Sequence, residues 1–516
     1  MMDITKIEYH IETSKDGLPT LSIIDEGGKK AYLHSKYSPS KEKDLLNNKF
    51  NPDKYDMLIV LGIGLGYHLL PLKEIHGKYR KIILIDAIRD IKGEIEINQS
   101  TEFLTQFSKI VFICGISIEE IRPILEELIE LEETKGLSIL EHPHSIRLFD
   151  EYYKDIRKII DRILTKKAGN KATKRAFGML YLKNIIKNLS LIRNLYPVQS
   201  FFNTMNSYSA LVITSGPSLE KHLQSIYENQ RQLFIIAVDS SLPVLLAKNI
   251  MPDFVISIDP QAFTFEHIIN NTLKSTIPVL TLSSHPLIYS NNSSLLSLNT
   301  HPFSQLIDEL FPEAIGSIDS HTGTVAGDAF NLANHLGFKD IGLLGFDFSF
   351  PEYKIYSRGT TYQRRFSLYF QNRFSPIETF NLNYIMKSSR GIKHNNTYTR
   401  KSFINYKNSL EEYADKTMAN NLYNITTSGI PIKGAQDIFL DDFIEKNCGD
   451  DIDKRGMMDN ILSESKKIGE IISLIRIQDM LNHRDIFNEL IHASLENDIN
   501  LSRLENIRSL LTSLTL

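Results

Sequence analysis

Residues 208–350 constrain the fold more than any other part of the chain, because short apolar runs there alternate with polar turns and helical patterns. The first run, Ala210–Thr214, predicts a buried strand, and the turn Ser215-Gly-Pro-Ser218 follows it at once. The glycine allows a sharp turn, the proline fixes its own φ, and the second serine is a suitable N-cap. A strand, a tight turn and a helix start in this order can hold an anion on free backbone N–H groups.

The same alternation continues through this stretch and predicts a parallel sheet with helices. Further apolar runs are followed directly by polar residues: 233–238 by Asp239 and Ser240, 254–258 by Asp259, 277–282 by Ser283, and 341–345 by Asp347. His321-Thr-Gly-Thr324 is a second polar turn at a helix start. Because ligands of open α/β sheets bind at the carboxyl ends of the strands, we expect these side chains to line one crevice.

Composition limits the class of protein. The 42% hydrophobic and 23% charged fractions are typical of a soluble globular chain. The net charge of −4 gives no reason to expect binding to nucleic acid or to a membrane. Cys114 and Cys448 are isolated from each other, which argues against a disulfide framework or a zinc site. Without the pattern of a signal peptide or a long apolar span, the chain is expected to be cytoplasmic.

The sequence predicts an α/β protein with four parts. Residues 1–150 form a β-rich start followed by a Rossmann-like domain, and residues 151–205 form a helical connector. Residues 206–447 form the central α/β domain, and residues 448–516 form a helical C-terminal domain. Three uses of that last domain stay open: packing, docking of an acceptor, and formation of a homo-oligomer.

A glycine-rich turn in the first domain is typical of nucleotide-binding folds. The strand Met57–Leu61 is followed by Gly62-Ile-Gly-Leu-Gly66, and the next strand ends in Asp86. In Rossmann-type folds such an acid binds a ribose, and the pattern also resembles the first motifs of methyltransferases. Since no catalytic partner follows Asp86, a structural role is favoured over nucleotide or sugar binding. We expect no binding of S-adenosylmethionine.

Two histidines flank a proline in Glu141-His-Pro-His144. A protein metal site needs three or four ligands, and no further ligand is evident beside them. The motif therefore favours a surface turn over a metal site.

Several of these motifs, in the same order, closely resemble the motility-associated factor (Maf) proteins. These are bacterial enzymes whose central, MptE-like domain is shared with the archaeal pterin pyrophosphokinase. The resemblance is carried by Ser215–Leu219, Val238–Ser241, Pro252–Asp259, Gly323–Ala326 and Gly345–Asp347, and it is strong over residues 180–438. It implies transfer of a nonulosonic acid, pseudaminic or legionaminic, from its CMP-activated form to Ser or Thr of flagellin, for filament assembly and motility.

The motifs are more distantly similar to bacterial sialyltransferases, which use the same class of donor. This similarity implies a sialyltransferase-like, Rossmann-type central domain with Thr322 and Gly323 at the donor's phosphate or carboxylate. Tyr353, Tyr356 and Tyr362 occupy the interval where those enzymes place tyrosines on the phosphate, and His394 stands where they place the catalytic base; of the three tyrosines, Tyr356 and Tyr362 are taken as catalytic. The similarity to sialyltransferases and the predicted crevice together imply further residues that bind the donor. These are Ser215, Gly216, Pro217, Ser218, Asp239, Ser240, Asp259 and Asp347.

The implied chemistry explains these residue types. Loss of CMP from a tertiary anomeric carbon puts charge on the leaving phosphate, which hydroxyl and N–H donors stabilise without a metal or other cofactor. Histidine, with a pKa of about 6.5, suits the base that deprotonates the acceptor. We expect Gly216→Val or Thr322→Val to abolish donor binding while the fold stays intact.

Two other functions remain open at this point. One is a pyrophosphokinase that transfers diphosphate to a hydroxymethyl-dihydropterin, with Mg²⁺ held by Asp239 and Asp259. The other is a flagellin chaperone without catalytic activity.

Overall fold

The computed structural model describes residues 7–24, 30–46, 49–129, 134–268, 273, 275–290, 293–369, 374, 376–417, 421–426, 428–473, 476–477, 479, 481 and 483–495. The fold is mixed α/β with parallel sheets, as the sequence predicts. It divides into two compact units, Met1–Lys174 and Arg175–Leu516. Among the described residues, no helix combines the length and apolar character that a membrane span needs.

The strands of the described residues alternate with helices along most of the chain. Their bounds are β1 Tyr9–Thr13, β2 Pro19–Ile24, β3 Lys30–Tyr32, β4 Met57–Leu61, β5 Lys81–Asp86, β6 Ile110–Cys114, β7 Leu137–Glu141, β8 Tyr196–Pro197, β9 Ser209–Ile213, β10 Phe234–Val238, β11 Phe254–Ile256, β12 Ile277–Thr281, β13 Leu295–Ser297, β14 Asp340–Leu344, β15 Lys393–His394, β16 Thr397–Tyr398, β17 Asn421–Asn424 and β18 Gln436–Asp437.

The α-helices are mostly short, apart from one that spans the boundary between the units. Their bounds are α1 Lys43–Leu46, α2 Leu72–Ile75, α3 Ile91–Ile97, α4 Phe103–Gln106, α5 Ile118–Leu128, α6 Pro143–Leu148, α7 Asp150–Asn188, α8 Leu223–Asn229, α9 Leu242–Leu246, α10 Ala262–Ile268, α11 Pro302–Leu310, α12 Val325–Leu336, α13 Thr361–Tyr369, α14 Ile377–Ser389, α15 Lys401–Thr417, α16 Leu440–Asn447, α17 Lys454–Glu464, α18 Ile468–Ile471 and α19 Arg484–Ser494.

The first unit holds two sheets. Strands β1, β2 and β3 form an antiparallel sheet, and a parallel sheet has the order β6-β5-β4-β7. Every residue of β4 is buried, because helices cover both faces of a parallel sheet. The strand order reverses at β4, which has β5 on one side and β7 on the other.

The second unit is built on a nine-stranded sheet in the order β18-β17-β14-β9-β10-β11-β12-β13-β8. All of its strand pairs are parallel. Successive strands run from β9 to β13 in one direction, and β14 then lies on the other side of β9. At such a reversal, open α/β sheets bind ligands in a crevice outside the carboxyl ends of the strands, here those of β9 and β14.

Helix α7 accounts for residues 151–188 of the predicted connector, whereas β8, which lies in the rest of it, is an edge strand of the large sheet. Side chains in the first half of α7, such as Tyr153 and Ile160, belong to the core of the first unit. Side chains near its end, such as Leu182 and Ile185, belong to a core of the second unit. The two units therefore divide within this helix, at a position that the local helical pattern does not mark.

The C-terminal segment contributes to the second unit rather than forming a core of its own. Met458 of α17 packs in the core beneath the large sheet, while Ile468 and Phe487 share a core with Leu280 of β12. Lys454 also donates to the carboxylate of buried Asp253 at 2.8 Å. The described helices therefore serve packing, whereas residues 496–516 of the predicted domain lie outside the described residues.

Candidate functional site

The turn after β9 is tied to the end of β14 by a carboxylate. The backbone N–H and the hydroxyl of Ser218 both donate to Oδ2 of Asp347, each at 3.0 Å. A 3₁₀ helix, Pro217–Lys221, follows Gly216, so Ser218 lies inside this helix and is not the predicted N-cap. The Ser218 N–H, which we expected to be free for an anion, is therefore occupied by Asp347.

Glycine is required at position 216 for packing. A Cβ atom there would lie 2.1 Å from the carbonyl oxygen of Gly345 and 2.2 Å from Oδ2 of Asp347. A side chain would thus push the turn away from the end of β14. The expectation that Gly216→Val leaves the fold intact is wrong.

A segment that we call the lid segment, residues 351–369, is bonded onto this turn. The Ser357 N–H donates to the carbonyl of Ser215 at 2.9 Å, and its hydroxyl donates to the carbonyls of Ser215 and Gly216 at 2.9 and 2.7 Å. The Arg358 N–H donates to Glu220 at 2.7 Å, and the Lys354 ammonium pairs with the same carboxylate at 2.9 Å. The lid segment is thus fixed to the turn through backbone and side-chain groups.

The lid segment brings the two predicted tyrosines together. The rings of Tyr356 and Tyr362 are stacked, with centroids 5.0 Å apart and planes inclined by 16°. Burial raises the pKa of both phenols, and for Tyr362 the neighbouring ring of Tyr356 and the carboxylates of Asp239 and Asp259 raise it further. Both phenols therefore keep their protons at neutral pH and can donate hydrogen bonds.

Two of the predicted acids and two serines lie near this stack. The buried Asp239 accepts from the Ser257 hydroxyl at 3.0 Å, and the Ser240 hydroxyl donates to that of Ser215, also at 3.0 Å. Burial raises the pKa of Asp239 to about 7, and the nearby charge of Asp259 adds to this effect. The sheet edge therefore offers hydroxyls and a carboxyl group that is partly protonated at neutral pH.

Asp347 is a second buried acid with a raised pKa. Burial raises the pKa of Asp347 to about 6, although the hydrogen bonds from Ser218 oppose the shift. At pH 7 this carboxyl group is still mostly ionised, and it accepts the two hydrogen bonds from Ser218 as a carboxylate.

The second polar turn precedes α12, whose first residue lies at the carboxyl edge of the sheet. The hydroxyl of Thr322 is buried and bonds that of Ser320 at 2.7 Å, while Thr324 caps α12 by accepting from the Gly327 N–H at 3.1 Å. Gly323 has φ +75°, and no atom lies within 4 Å of the position of a Cβ. Within the described hydrogen bonds, no link joins this turn to Ser215–Ser218.

His394 lies apart from the tyrosine pair in the described contacts. It is exposed on the hairpin of β15 and β16. This hairpin is joined to the chain after β14, where the Phe350 N–H donates to the Tyr398 carbonyl at 2.8 Å. No described hydrogen bond or ring contact places its imidazole beside Tyr356 or Tyr362. Its role as the base stays a prediction.

Another histidine, which the sequence analysis did not single out, contacts the pair directly. His267 of α10 is buried, and its ring lies edge-on to Tyr362 with the centroids 5.3 Å apart. Burial lowers the pKa of His267 to about 4. One turn earlier on α10, Phe263 lies 4.4 Å from the guanidinium of Arg365. The sequence signal that could have identified this histidine is its spacing from Phe263. The two residues are four positions apart and follow the strand that ends near Asp259.

In the first unit, the glycine-rich turn is filled by the protein's own groups. Oδ2 of Asp86 accepts from the N–H groups of Ile63 and Gly64 at 2.6 and 2.9 Å. Nε2 of His34 accepts from the Leu65 N–H at 2.7 Å and would lie 2.3 Å from a Cβ on Gly64. The donors that a nucleotide would use are thus taken, which favours the structural role of this turn.

The prediction that Glu141–His144 forms a surface turn is wrong for His142. Its ring is fully buried, bonds the hydroxyl of Ser145 at 2.8 Å and stacks on His68 with centroids 4.4 Å apart. The partners that enclose it come from distant parts of the first unit. Local sequence therefore gave no indication of its burial.

His142, His34 and Glu42 bring one ligand atom each within 4.8 Å of one another. These three residues do not fit a metal ion. Nε2 of His34 accepts from a backbone N–H, so the imidazole proton is on Nδ1, which donates to Glu42 at 2.6 Å. His34 has no free lone pair, and the other two residues fall short of a metal site.

We expect no change in melting temperature of the protein with S-adenosylmethionine or NAD⁺, because the N–H groups of the glycine-rich turn are already bonded. By contrast, Asp86→Ala should lower the free energy of unfolding by about 2–3 kcal/mol, since it leaves buried N–H groups without acceptors. Asp90→Ala, at an exposed acid four residues later, is the matched control. A saturable thermal shift with either cofactor that Asp86→Ala abolishes would contradict the structural role.

Comparisons with known proteins agree with the two-unit organisation. Residues 4–91 match the model of the glycosyltransferase Maf N-terminal domain, and residues 183–353 match that of the 6-hydroxymethylpterin diphosphokinase MptE-like family. Two uncharacterized proteins of Treponema pallidum (strain Nichols) are each 36% identical, over 89 and 90 residues, or 17% of this chain. The chain spans only 41% and 31% of the length of those two relatives.

A solved structure extends the similarity in fold along the whole chain. The Maf glycosyltransferase from Magnetospirillum magneticum AMB-1 aligns with 98% of this chain and 86% of its own, with a TM-score of 0.63. At 13% identity this likeness concerns the fold alone. The resemblance read from the motifs is confirmed: the chain carries a region that matches the Maf glycosyltransferase N-terminal domain and a central region that matches the MptE-like family.

Proposed function

We propose that this glycosyltransferase transfers a nonulosonic acid, pseudaminic or legionaminic, from its CMP-activated form to Ser or Thr of flagellin. The observation that carries the proposal is the stacked pair of Tyr356 and Tyr362, fixed by Ser357 to the turn at the reversal of strand order. Two protonated phenols beside a hydroxyl-lined turn suit a leaving group whose phosphate gains negative charge. The proposed setting is the cytoplasm, before flagellin is exported.

In this proposal the acceptor oxygen forms a bond to the anomeric carbon as the bond from that carbon to the CMP phosphate breaks. The electron pair leaves with CMP, and a base removes the acceptor proton. Tyr356 and Tyr362 donate hydrogen bonds to the departing phosphate, and Ser215 and Ser240 hold the nucleotide. The raised pKa of Asp239, about 7, leaves this carboxyl partly neutral beside an anionic donor.

Removal of one phenolic hydroxyl is the direct test of the tyrosine pair. We expect Tyr362→Phe to lower kcat about 100-fold, because the ring stack is kept while one donor to the phosphate is lost. Tyr353→Phe, at an exposed tyrosine of the lid segment, is the matched control. Intact-mass spectrometry of recombinant flagellin, incubated with the CMP-activated sugar, measures the rate, and calorimetry with CMP checks donor binding.

A rate for Tyr362→Phe within a factor of two of the wild-type rate would contradict the role of this pair in catalysis. Complete absence of flagellin modification by the wild-type protein would contradict the proposed acceptor or donor instead.

The base is tested separately. We expect His394→Ala to lower turnover about 100-fold or more, the scale of a lost general base, with CMP affinity little changed. His394 is exposed, so its substitution should not disturb the fold. Near-normal turnover of His394→Ala would exclude His394 as the base. The turnover of His267→Gln would then test the histidine that contacts Tyr362.

The match to the MptE-like family favours a second candidate function, diphosphate transfer from ATP to a hydroxymethyl-dihydropterin. Asp239 and Asp259 are close enough for one charge to raise the pKa of the other. Two carboxylates together with substrate phosphates are a usual set of ligands for Mg²⁺. The residues therefore fit a magnesium ion, which would neutralise phosphate charge in that reaction.

Metal removal distinguishes the two candidates. We expect sugar transfer to flagellin to continue at the same rate in EDTA, because the tyrosine hydroxyls and not a cation stabilise the leaving phosphate. Loss of transfer in EDTA that Mg²⁺ restores would contradict the metal-free mechanism. Mg²⁺-dependent formation of a pterin diphosphate from ATP would establish the second function.

A further inference from the structure

Helix α14 and the residues just after it leave several large apolar side chains partly exposed. Leu382 and Met386 are 43% and 47% exposed and lie four residues apart, and Ile392, just after the helix, is 37% exposed. Residues at this spacing form one stripe on a helix surface. Next to this stripe, Ile385 and Ser389 of the same helix are buried and hold it in place. Close to half of the surface of Leu382 and Met386 is therefore left uncovered by the rest of the fold.

Basic residues accompany this stripe. Between Lys354 and Lys401 the sequence contains ten Lys or Arg residues and a single acid, Glu378, although the whole chain has a net charge of −4. On α14, Lys387 follows Met386, and Arg390 continues the stripe one turn further. Both are exposed, and the ion pairs of the described residues do not include them. Their charges are thus available to a partner.

The stripe borders the tyrosine pair. Tyr384 of the same helix accepts a hydrogen bond from the Arg400 guanidinium at 3.0 Å. The pKa of Tyr356, raised mainly by burial, also responds to Tyr384 and Arg400, so these groups are neighbours. A protein docked on α14 would accordingly lie next to the phenols that face the donor.

We propose that Leu382, Met386, Lys387, Arg390 and Ile392, together called the α14 face, dock the acceptor protein. The complementary surface is acidic and also exposes apolar side chains. Apolar contacts supply binding energy, while the basic residues steer and orient the acceptor. This inference rests on the proposed function and identifies the surface through which flagellin presents its Ser or Thr.

Two pairs of substitutions test the α14 face: Lys387→Glu with Arg390→Glu, and Leu382→Ser with Met386→Ser. The matched control is Lys248→Glu with Lys339→Glu. These two lysines are exposed at the amino edge of the sheet, away from the strand ends that form the crevice. The probes are CMP, the CMP-activated sugar and unmodified recombinant flagellin.

We expect each α14 pair to raise the KM for flagellin about tenfold. The affinity for CMP and the kcat at saturating flagellin should stay unchanged, which a misfolded variant would not show. Added salt should raise the KM of the wild-type protein, and raise it less in the charge-reversed pair, because salt screens exposed charges. The control pair should keep the wild-type KM.

An unchanged KM in both α14 pairs, with flagellin still modified by the wild-type protein, would overturn the docking surface alone. An equal rise in the control pair would overturn it too, by assigning the effect to net charge. If the α14 variants lose binding to phosphatidylserine vesicles while their KM for flagellin is unchanged, the α14 face binds a membrane and not the acceptor. If the wild-type protein forms a dimer in analytical ultracentrifugation that the α14 variants lose, with the KM for flagellin unchanged, the α14 face binds a second copy of the chain. No flagellin modification by the wild-type protein would overturn the proposed function itself.

Discussion

The site depends on the carboxylate of Asp347, which accepts both the N–H and the hydroxyl of Ser218. This pair of hydrogen bonds joins the end of β14 to the turn after β9, at the point where the strand order reverses. The join is so close that position 216 has no space for a side chain. Ser357 bonds the outer side of the same turn and so places the lid segment. The position of the tyrosine pair thus follows from contacts that begin at one buried acid.

The buried acids have a chemical consequence for an anionic ligand. At neutral pH a crevice with several ionised aspartates would repel phosphate and carboxylate groups. Burial raises the pKa of Asp239 to about 7, which reduces this negative charge, whereas Asp347, with a pKa of about 6, stays mostly ionised and accepts from Ser218. Burial also raises the pKa of the phenols of the lid segment, which carry their protons at neutral pH even when exposed. The low polarity of the interior therefore lowers the charge of the crevice at Asp239 and leaves the phenols as hydrogen-bond donors.

The sequence predicted those features of the fold that depend on residues close together in the chain. Continuous apolar runs such as Met57–Leu61 became strands because both faces of a parallel sheet are buried. The pairing of Tyr356 with Tyr362 was implied by family resemblance, and the contact of Tyr362 with His267 was not foreseen, since it joins residues 95 positions apart. His142 was misjudged for the same reason, as its burial depends on residues of other elements. The boundary between the two units could not be predicted from the local sequence either, because helix α7 continues through it.

The glycine turns after β4 and after β9 show what a glycine motif predicts and what it does not predict. Each follows a central parallel strand at which the strand order reverses, so both have the geometry that binds nucleotides in related folds. In the first unit, Asp86 and His34 occupy the backbone donors, and Ser145 would meet any side chain on Gly62. In the second unit, Asp347 accepts from Ser218, while the hydroxyls of Ser215 and Ser240 bond each other and Ser357 joins the segment of the tyrosine pair to the turn. Glycine therefore predicts the shape of the turn, whereas residues distant in sequence decide whether a ligand can use it.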